Sequence, residues 1–214
     1  MKPYYSDDHV TLYHGDAREV LLDIDIDIDV VVTDPPYGIG WNSGGMAGSR
    51  DHPDIVGDDS TLLAEWIIEY AAPAPMVVFG ANHFPHALPT PGQWICWDKR
   101  VSESADRMFG SAFELAWKSG PDKAAVMYRI LHGGVVNADG PGRRPHPTAK
   151  PVKLIRRIIE DLLPADGLIV DPFAGAGSTL RAAKDLGRRS VGVEVVEEYC
   201  DAAARRCAQE VLAI

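Results

Sequence analysis

A carboxylate, two prolines and an aromatic ring stand together at Asp34-Pro35-Pro36-Tyr37-Gly38, directly after the apolar run Asp29 to Asp34 (DVVVTD). Consecutive prolines can neither continue a sheet nor open a regular helix in place, so they fix a rigid, extended loop. Such a loop holds the Asp34 carboxylate and the Pro35 carbonyl as neighbouring acceptors, with the Tyr37 ring beside them. Two acceptors and a stacking ring are what a planar base with an NH2 group requires. The plainer alternative is a proline turn that caps a strand.

A second stretch, Asp171-Pro172-Phe173-Ala174-Gly175-Ala176-Gly177-Ser178-Thr179, delivers a carboxylate at the end of an apolar strand and then a glycine turn into a helix. In open α/β sheets ligands bind at that edge, and glycines let the backbone approach them closely. The helix N-terminus offers free N–H groups to an anion. Leu180 occupies the third glycine position of the dinucleotide fingerprint, which weakens a pyrophosphate reading. Glu194, 19 residues after Gly175 at the end of the next strand, suits the paired hydroxyls of a ribose. The combination fits a nucleoside ligand; a purely structural strand-turn-helix is the alternative.

These loops need elements to carry them, and the alternation of strand and helix patterns predicts an α/β fold with a mostly parallel sheet. Strands are predicted at Thr11 to Asp16, Asp29 to Asp34, Met76 to Gly80, Gln93 to Trp97, Leu168 to Asp171 and Ser190 to Val195. Ser111 to Lys118 and Ala124 to Leu131 are expected to form an antiparallel pair near a sheet edge. Leu62, Leu63, Trp66, Ile67 and Tyr70 recur at helical spacing. So do Leu154, Ile155, Ile158, Ile159 and Leu162 after Pro151, with Lys153, Arg156 and Arg157 on the other side. A helix at Ser178 to Leu186 is ended by Gly187, and a closing helix runs to Ile214. The Asp-Ile alternation at 23–29 reads as a turn into the following strand. Two segments read as loops, the glycine-rich 38–59 and the Gly-, Pro- and Arg-rich Gly133 to Thr148.

At 214 residues one domain spanning 1–214 is expected. The net charge of −10 argues against nucleic acid until its distribution is read: residues 1–98 carry net −13, residues 99–157 net +7, and residues 158–214 net −4. A basic middle in an acidic chain is what phosphate contact needs, and a merely solvated basic surface is the alternative. Cys96, Cys200 and Cys207 are too few and scattered for a disulfide framework or zinc site; Cys200 and Cys207, seven apart on a predicted helix, read as buried reduced thiols, and a reducing cytoplasm is expected. His83 and His86 lack ligating companions, so no metal is expected. Trp94, Trp97 and Trp117 read as strand core. No apolar run approaches a membrane span, and the N-terminus lacks a signal-peptide core.

Asp34-Pro35-Pro36-Tyr37 resembles the catalytic motif of the S-adenosylmethionine-dependent amino-methyltransferases that act on adenine N6 or cytosine N4 in DNA. Asp171 to Gly177 resembles their cofactor motif, and His146-Pro147-Thr148-Ala149-Lys150-Pro151 the segment before the cofactor strand. Catalytic motif first and cofactor motif last is similar to the β class. His14-Gly15-Asp16 with Leu21 resembles the family's N-terminal strand, whose acid faces the cofactor adenine. Ile95 to Lys99 and Phe113 to Trp117 resemble its later strands. Ala149 departs from the usual Gln, and about 100–145 leaves room for only a minimal target-recognition region.

The resemblance implies a Rossmann-like methyltransferase domain with helices on both faces of the sheet. It makes Asp34, Pro35, Pro36 and Tyr37 catalytic. It assigns S-adenosylmethionine to Asp16, Ala17, Asp34, His146, Thr148, Lys150, Asp171, Pro172, Phe173, Ala174, Gly175, Gly177, Ser178, Thr179 and Glu194, with Thr148 and Lys150 meeting the methionine carboxylate. DNA is the implied partner, and the family also admits a homodimer and a cognate restriction nuclease. The base is flipped into the pocket, where Asp34 and the Pro35 carbonyl accept its N–H bonds, Tyr37 stacks on the ring, and the methyl transfers directly. No cysteine nucleophile is needed. Adenine is favoured because the family's adenine enzymes more often begin this motif with Asp, its cytosine enzymes with Ser. RNA, a protein glutamine amide, a silent binding module and a dehydrogenase are the rival readings. Loop 38–59 is expected to close over the base, so DNA plus cofactor should slow its cleavage in limited proteolysis; equal cleavage with and without them would count against closure.

Overall fold

Every residue of Val30–Thr33 (β3) and Met76–Phe79 (β4) is buried, a pattern that arises when helices cover both faces of a sheet. The computed structural model describes residues 1–40, 55–100, 111–121, 123–131 and 149–210. The remaining elements are β1 (Tyr5–Ser6), β2 (Val10–His14), α1 (Ala17–Ile24), α2 (Leu62–Tyr70), β5 (Gly92–Asp98), β6 (Phe113–Ser119), β7 (Val126–Arg129), α3 (Val152–Leu162), β8 (Ile169–Asp171), α4 (Ser178–Asp185), β9 (Ser190–Glu194) and α5 (Glu197–Cys207). Among the described residues the strands form one sheet in the order β1-β2-β9-β8-β3-β4-β6-β5-β7. The run β2-β9-β8-β3-β4 is parallel throughout.

The period-2 alternation of the central strands divides the core into two layers. Val31, Met76 and Val78 point toward α1 and α2. Val30, Val32, Val77 and Phe79 point toward α3 and α4. On that second side Leu180 of α4 and Cys200, Ala203 and Cys207 of α5 close over Val10 and Leu12 of β2. The predicted stripe of α3 is the buried one, Leu154, Ile155, Ile158 and Ile159, while Arg156 and Arg157 pair outward with Glu160 and Asp161. The free cysteines Cys200 and Cys207 are buried.

Two expectations are corrected, and one helix was missed. Ser111 to Lys118 and Ala124 to Leu131 do not pair with each other: β6 lies between β4 and β5, antiparallel to both, and β7 runs parallel to β5 at the edge. Ala116 and Trp117 are buried and need neighbours on both sides, whereas β7 alternates half-buried with exposed positions and tolerates an edge. A helix at Ala17–Ile24 was not read from the sequence; Asp16 caps it by accepting from the Arg18 amide, and Asp25 ends it in the left-handed region at φ 45°. The closing helix stops at Cys207, and 211–214 lie outside the described residues. The Asp-Ile stretch is the turn expected, its Ile24, Ile26 and Ile28 half-buried against the first layer.

The chain leaves β3 through α2 toward β4 on one face and leaves β8 through α4 toward β9 on the other. β3 and β8 are neighbours, so their C-terminal ends flank the point where the winding reverses, the place where open α/β sheets form a crevice. Ile158→Ala, at a fully buried position, should cost about 2–4 kcal/mol in denaturant unfolding, and Arg157→Ala on the exposed side of the same helix under about 0.5 kcal/mol.

Candidate active site

Four neighbouring parallel strands end in carboxylates along one edge of the sheet. Asp16 follows β2, Glu194 ends β9, Asp171 ends β8 and Asp34 follows β3. Asp34 and Asp171, the two carboxylates of the sequence motifs, sit on either side of the switch point. Thr33 joins the loops by donating its hydroxyl to Asp171 Oδ1 at 2.8 Å.

The Asp34 loop is held from several directions. Pro35 and Pro36 are buried. Asp58, only 4% exposed, accepts the amide hydrogens of Tyr37 (2.8 Å) and Gly38 (2.9 Å) on one oxygen. Tyr37 donates its hydroxyl to Asp34 Oδ1 and stacks its ring on His83, with centroids 5.3 Å apart. Gly80, at φ 66°, lies under the ring; a Cβ there would come within 2.0 Å of Tyr37 Cε1, so only glycine allows this approach.

Lys150 is the cation of the site. Its Nζ donates to Asp34 Oδ2, lies 3.2 Å from the Tyr37 hydroxyl and 3.4 Å from Glu114 Oε2, and rests over the Phe79 ring. Lys99 holds the other Glu114 oxygen at 2.8 Å. Burial works against the Lys150 charge, but Asp34, Tyr37 and Glu114 together hold its pKa well above the ordinary lysine value. Burial pushes the Asp34 carboxyl up, with Lys150 and the Tyr37 hydroxyl pulling against it. For Glu114 the balance falls the other way: burial opposes ionisation, yet Lys150 and Lys99 bring its pKa below the ordinary value.

The β8–α4 turn is arranged for a different ligand. Gly175 (φ 49°) and Gly177 (φ 75°) shape it, and Gly177 caps α4 with no side-chain acceptor, which leaves the first helical amides without a side-chain cap. Glu194 accepts the Gly175 amide on one oxygen and the Val196 amide on the other, each at 2.8 Å, so each oxygen keeps further lone-pair capacity. Burial raises the Glu194 carboxyl above its usual value.

Most of the sequence-derived positions therefore gather at this edge, but not all in the relations expected. Asp34, Tyr37, Asp171, Pro172, Phe173, Ala174, Gly175, Gly177 and Glu194 line the ends of β3, β8 and β9. Asp16 stands beside them, its carboxylate engaged by Arg18, and Ala17 is packed into the first core layer. The Ser178 hydroxyl accepts from Arg206 at 2.6 Å, and Thr179 serves Asp171, so both are tied into the protein. Lys150, expected at a cofactor carboxylate, is bound to Asp34. His146, Thr148 and most of 38–59 and 100–145 lie outside the described residues. Trp97 and Trp117 are buried, but Trp94 is 37% exposed. His83 backs Tyr37 and His86 pairs with Glu65; among the described residues no group of three or more His, Cys, Asp and Glu side chains could hold a metal ion.

Sequence reasoning missed Asp58, Gly80, His83, Lys99 and Glu114 as parts of the site. Asp58, Gly80 and His83 act on Tyr37 from 21 or more residues away and stand in no motif; Lys99 and Glu114 lie in segments read only as strands.

Asp171 supplies a test. It is 3% exposed, and burial pushes its carboxyl up to about 6 from 3.8 against hydrogen bonds from Thr179, Thr33 and the Phe173 amide. A raised carboxyl favours the fold while protonated, so its contribution is full below about pH 4 and is lost as pH rises through about 6. Asp171→Asn should therefore gain stability relative to the wild type between about pH 4 and 7, by up to about 3 kcal/mol. Denaturant titrations at both ends of that range check it; a pH-independent difference would show that the buried charge is not felt.

Comparison with known proteins places the chain among methylating enzymes. The family model described as DNA methylase, of the N6/N4 class, matches residues 116–205. A putative methylase of Escherichia coli (strain K12), YubD, is 30% identical over 199 residues, covering 85% of this chain and 82% of the relative. The type II methyltransferase M.ScaI of Streptomyces caespitosus is 26% identical over 262 residues, covering 98% of this chain and 84% of the relative. Among solved structures, M1.HpyAVI in complex with SAM superposes with a TM-score of 0.63 at 23% identity, covering 94% of this chain and 100% of that one.

Proposed function

The chain belongs to the N6/N4 family of DNA methylases, and from that membership we propose that it transfers a methyl group from S-adenosylmethionine to N6 of adenine in DNA. One observation carries the reading: the Asp34–Tyr37 loop and the Asp171–Gly177 turn stand side by side at the switch point of the sheet, tied together by Thr33 and Asp171.

The cofactor fits the groups present. Glu194 has acceptor capacity for a ribose diol, and the uncapped start of α4 has amides for a carboxylate. Phe173 and the exposed Val195 border the same edge with apolar surface suited to a purine ring. When bound, S-adenosylmethionine supplies an electrophilic methyl on a sulfonium.

The amino group of a base is a poor nucleophile because its lone pair is delocalised into the ring. Asp34 and the Pro35 carbonyl accept its two N–H bonds, which holds electron density on nitrogen and turns the lone pair toward the methyl. As the new N–C bond forms, the electrons of the broken C–S bond return to sulfur and nitrogen sheds one proton. In this reading Asp34 takes that proton; burial raises its carboxyl, with Lys150 and the Tyr37 hydroxyl pulling against the rise. Tyr37, whose ring stacks on His83, is the aromatic group beside the flipped base.

Adenine is preferred to cytosine because the motif opens with Asp34; N4 of cytosine fits the same pair of acceptors and is the second reading. The test is to incubate the protein with labelled S-adenosylmethionine and unmethylated DNA, digest the DNA, and identify the modified nucleoside by mass spectrometry. N6-methyladenine is expected, with Asp34→Ala lowering the yield at least about a hundredfold. N4-methylcytosine would replace the base and keep the mechanism; no methylated nucleoside from the wild type would remove DNA as the substrate.

A further inference from the structure

Lys150 is shared between two carboxylates that no motif connects. It donates to Asp34 on one side and lies 3.4 Å from Glu114 Oε2 on the other, and Lys99 donates to Glu114 Oε1 at 2.8 Å. The result is a chain of alternating charge, Asp34–Lys150–Glu114–Lys99, running from the loop after β3 across to β6 and the end of β5. Glu114 is next to the first residue of β6, beyond the last register pair of β4 with β6, Phe79 with Ala116. It therefore projects past the end of β4, on the crevice side of the sheet.

An ammonium on a four-carbon stem has many rotamers, and one counter-ion does not fix where it sits. Two carboxylates on opposite sides do. With Lys150 only 5% exposed, losing either partner leaves a buried ammonium under-compensated. Among the described residues, the Tyr37 hydroxyl at 3.2 Å and the Tyr37 and Phe79 rings also face this cation. Asp171 bears electrostatically on Asp34, and His83 stacks on the Tyr37 ring. Among the charged groups of the described residues, Glu114 is thus the one placed to hold Lys150 from the side away from the reacting loop.

We propose that Glu114 is a positioning residue for methyl transfer, acting through Lys150 to hold the Asp34 carboxylate where the amine of the base must meet it. The proposal rests on the methyltransferase reading above. Lys99 secures the second oxygen of Glu114, so the carboxylate keeps one orientation. Removing the Glu114 charge does two separable things. It loosens Lys150 and with it Asp34, which slows transfer. It also removes a negative charge that raises the Asp34 carboxyl, so the acid limb of the rate profile moves to lower pH. Removing Lys150 moves that limb the opposite way, because the cation opposes the rise.

The test is a double-mutant cycle on the full chain, using Glu114→Gln, Lys150→Met and the pair, read as the single-turnover rate of methyl transfer to unmethylated DNA at saturating S-adenosylmethionine. Glu114→Gln should slow transfer about tenfold in the wild-type background but less than about twofold when Lys150 is already Met. Its acid limb should move to lower pH. Equal slowing in both backgrounds, or a Glu114→Gln protein as fast as the wild type, overturns the proposal. If Lys150→Met is too slow to follow, the coupling is read without cofactor or DNA, from exchange of the Lys150 ammonium protons in spectra of 15N-lysine-labelled protein. Faster exchange in Glu114→Gln supports the link, and unchanged exchange breaks it. A wild type that methylates no DNA sinks the functional reading instead, and the ammonium exchange still decides whether Glu114 holds Lys150.

Discussion

The ion pair between Asp34 and Lys150 is the constraint on which the site depends. The two residues are 116 positions apart, on loops after β3 and before α3, and Lys150 is almost wholly removed from solvent. Burying such charges is costly unless each is compensated, so the fold must bring these loops together and keep them there. The arrangement of the sheet makes that possible. β4 ends beside β3, and β6, antiparallel on the far side of β4, begins at the same edge; the ring of Phe79 forms the floor under the ammonium, and Glu114 arrives from the start of β6. Asp58 and Gly80 then leave the Tyr37 backbone and ring one place to go.

Four acidic ends on four adjacent strands look unfavourable in an already acidic chain. Each is managed by its own device: Arg18 for Asp16, backbone amides for Glu194, hydroxyls and an amide for Asp171, and Lys150 for Asp34. The local compensation leaves Glu194 with lone pairs to spare and Asp171 closed off. This division explains why one carboxylate is suited to a ligand and its neighbour to holding loops together. It also alters the meaning of the basic middle of the sequence. Lys99 and Lys150 belong to that segment, yet both turn inward to carboxylates and are mostly buried, so they are not available to phosphates.

Much of this was legible in the residues, and the limits are instructive. Buried strands announced themselves through Val30–Val32 and Met76–Phe79, and α3 through its apolar stripe, because periodicity reports which face is covered. The two motif loops were visible because prolines and glycines constrain the backbone locally. The order of β5, β6 and β7 was not visible, since pairing depends on which strand needs two neighbours and adjacency in sequence does not record that. Helix α1 was hidden by a short run whose Asp-Ile continuation obscured its end. Glu114 and Asp58 stayed out of view for the same reason: their partners lie 36 and 21 residues away, at Lys150 and Tyr37, and a side chain's role across such a gap is set by topology.

The central claim is that one crevice, between the ends of β3 and β8, serves both the cofactor and the base. A crystal structure of the protein soaked with S-adenosylmethionine tests it most directly. The account predicts density for the ligand at the Gly175–Gly177 turn, its ribose against Glu194 and its sulfonium end directed toward Asp34. A ligand bound elsewhere, or bound with its sulfonium turned away from Asp34, would contradict it.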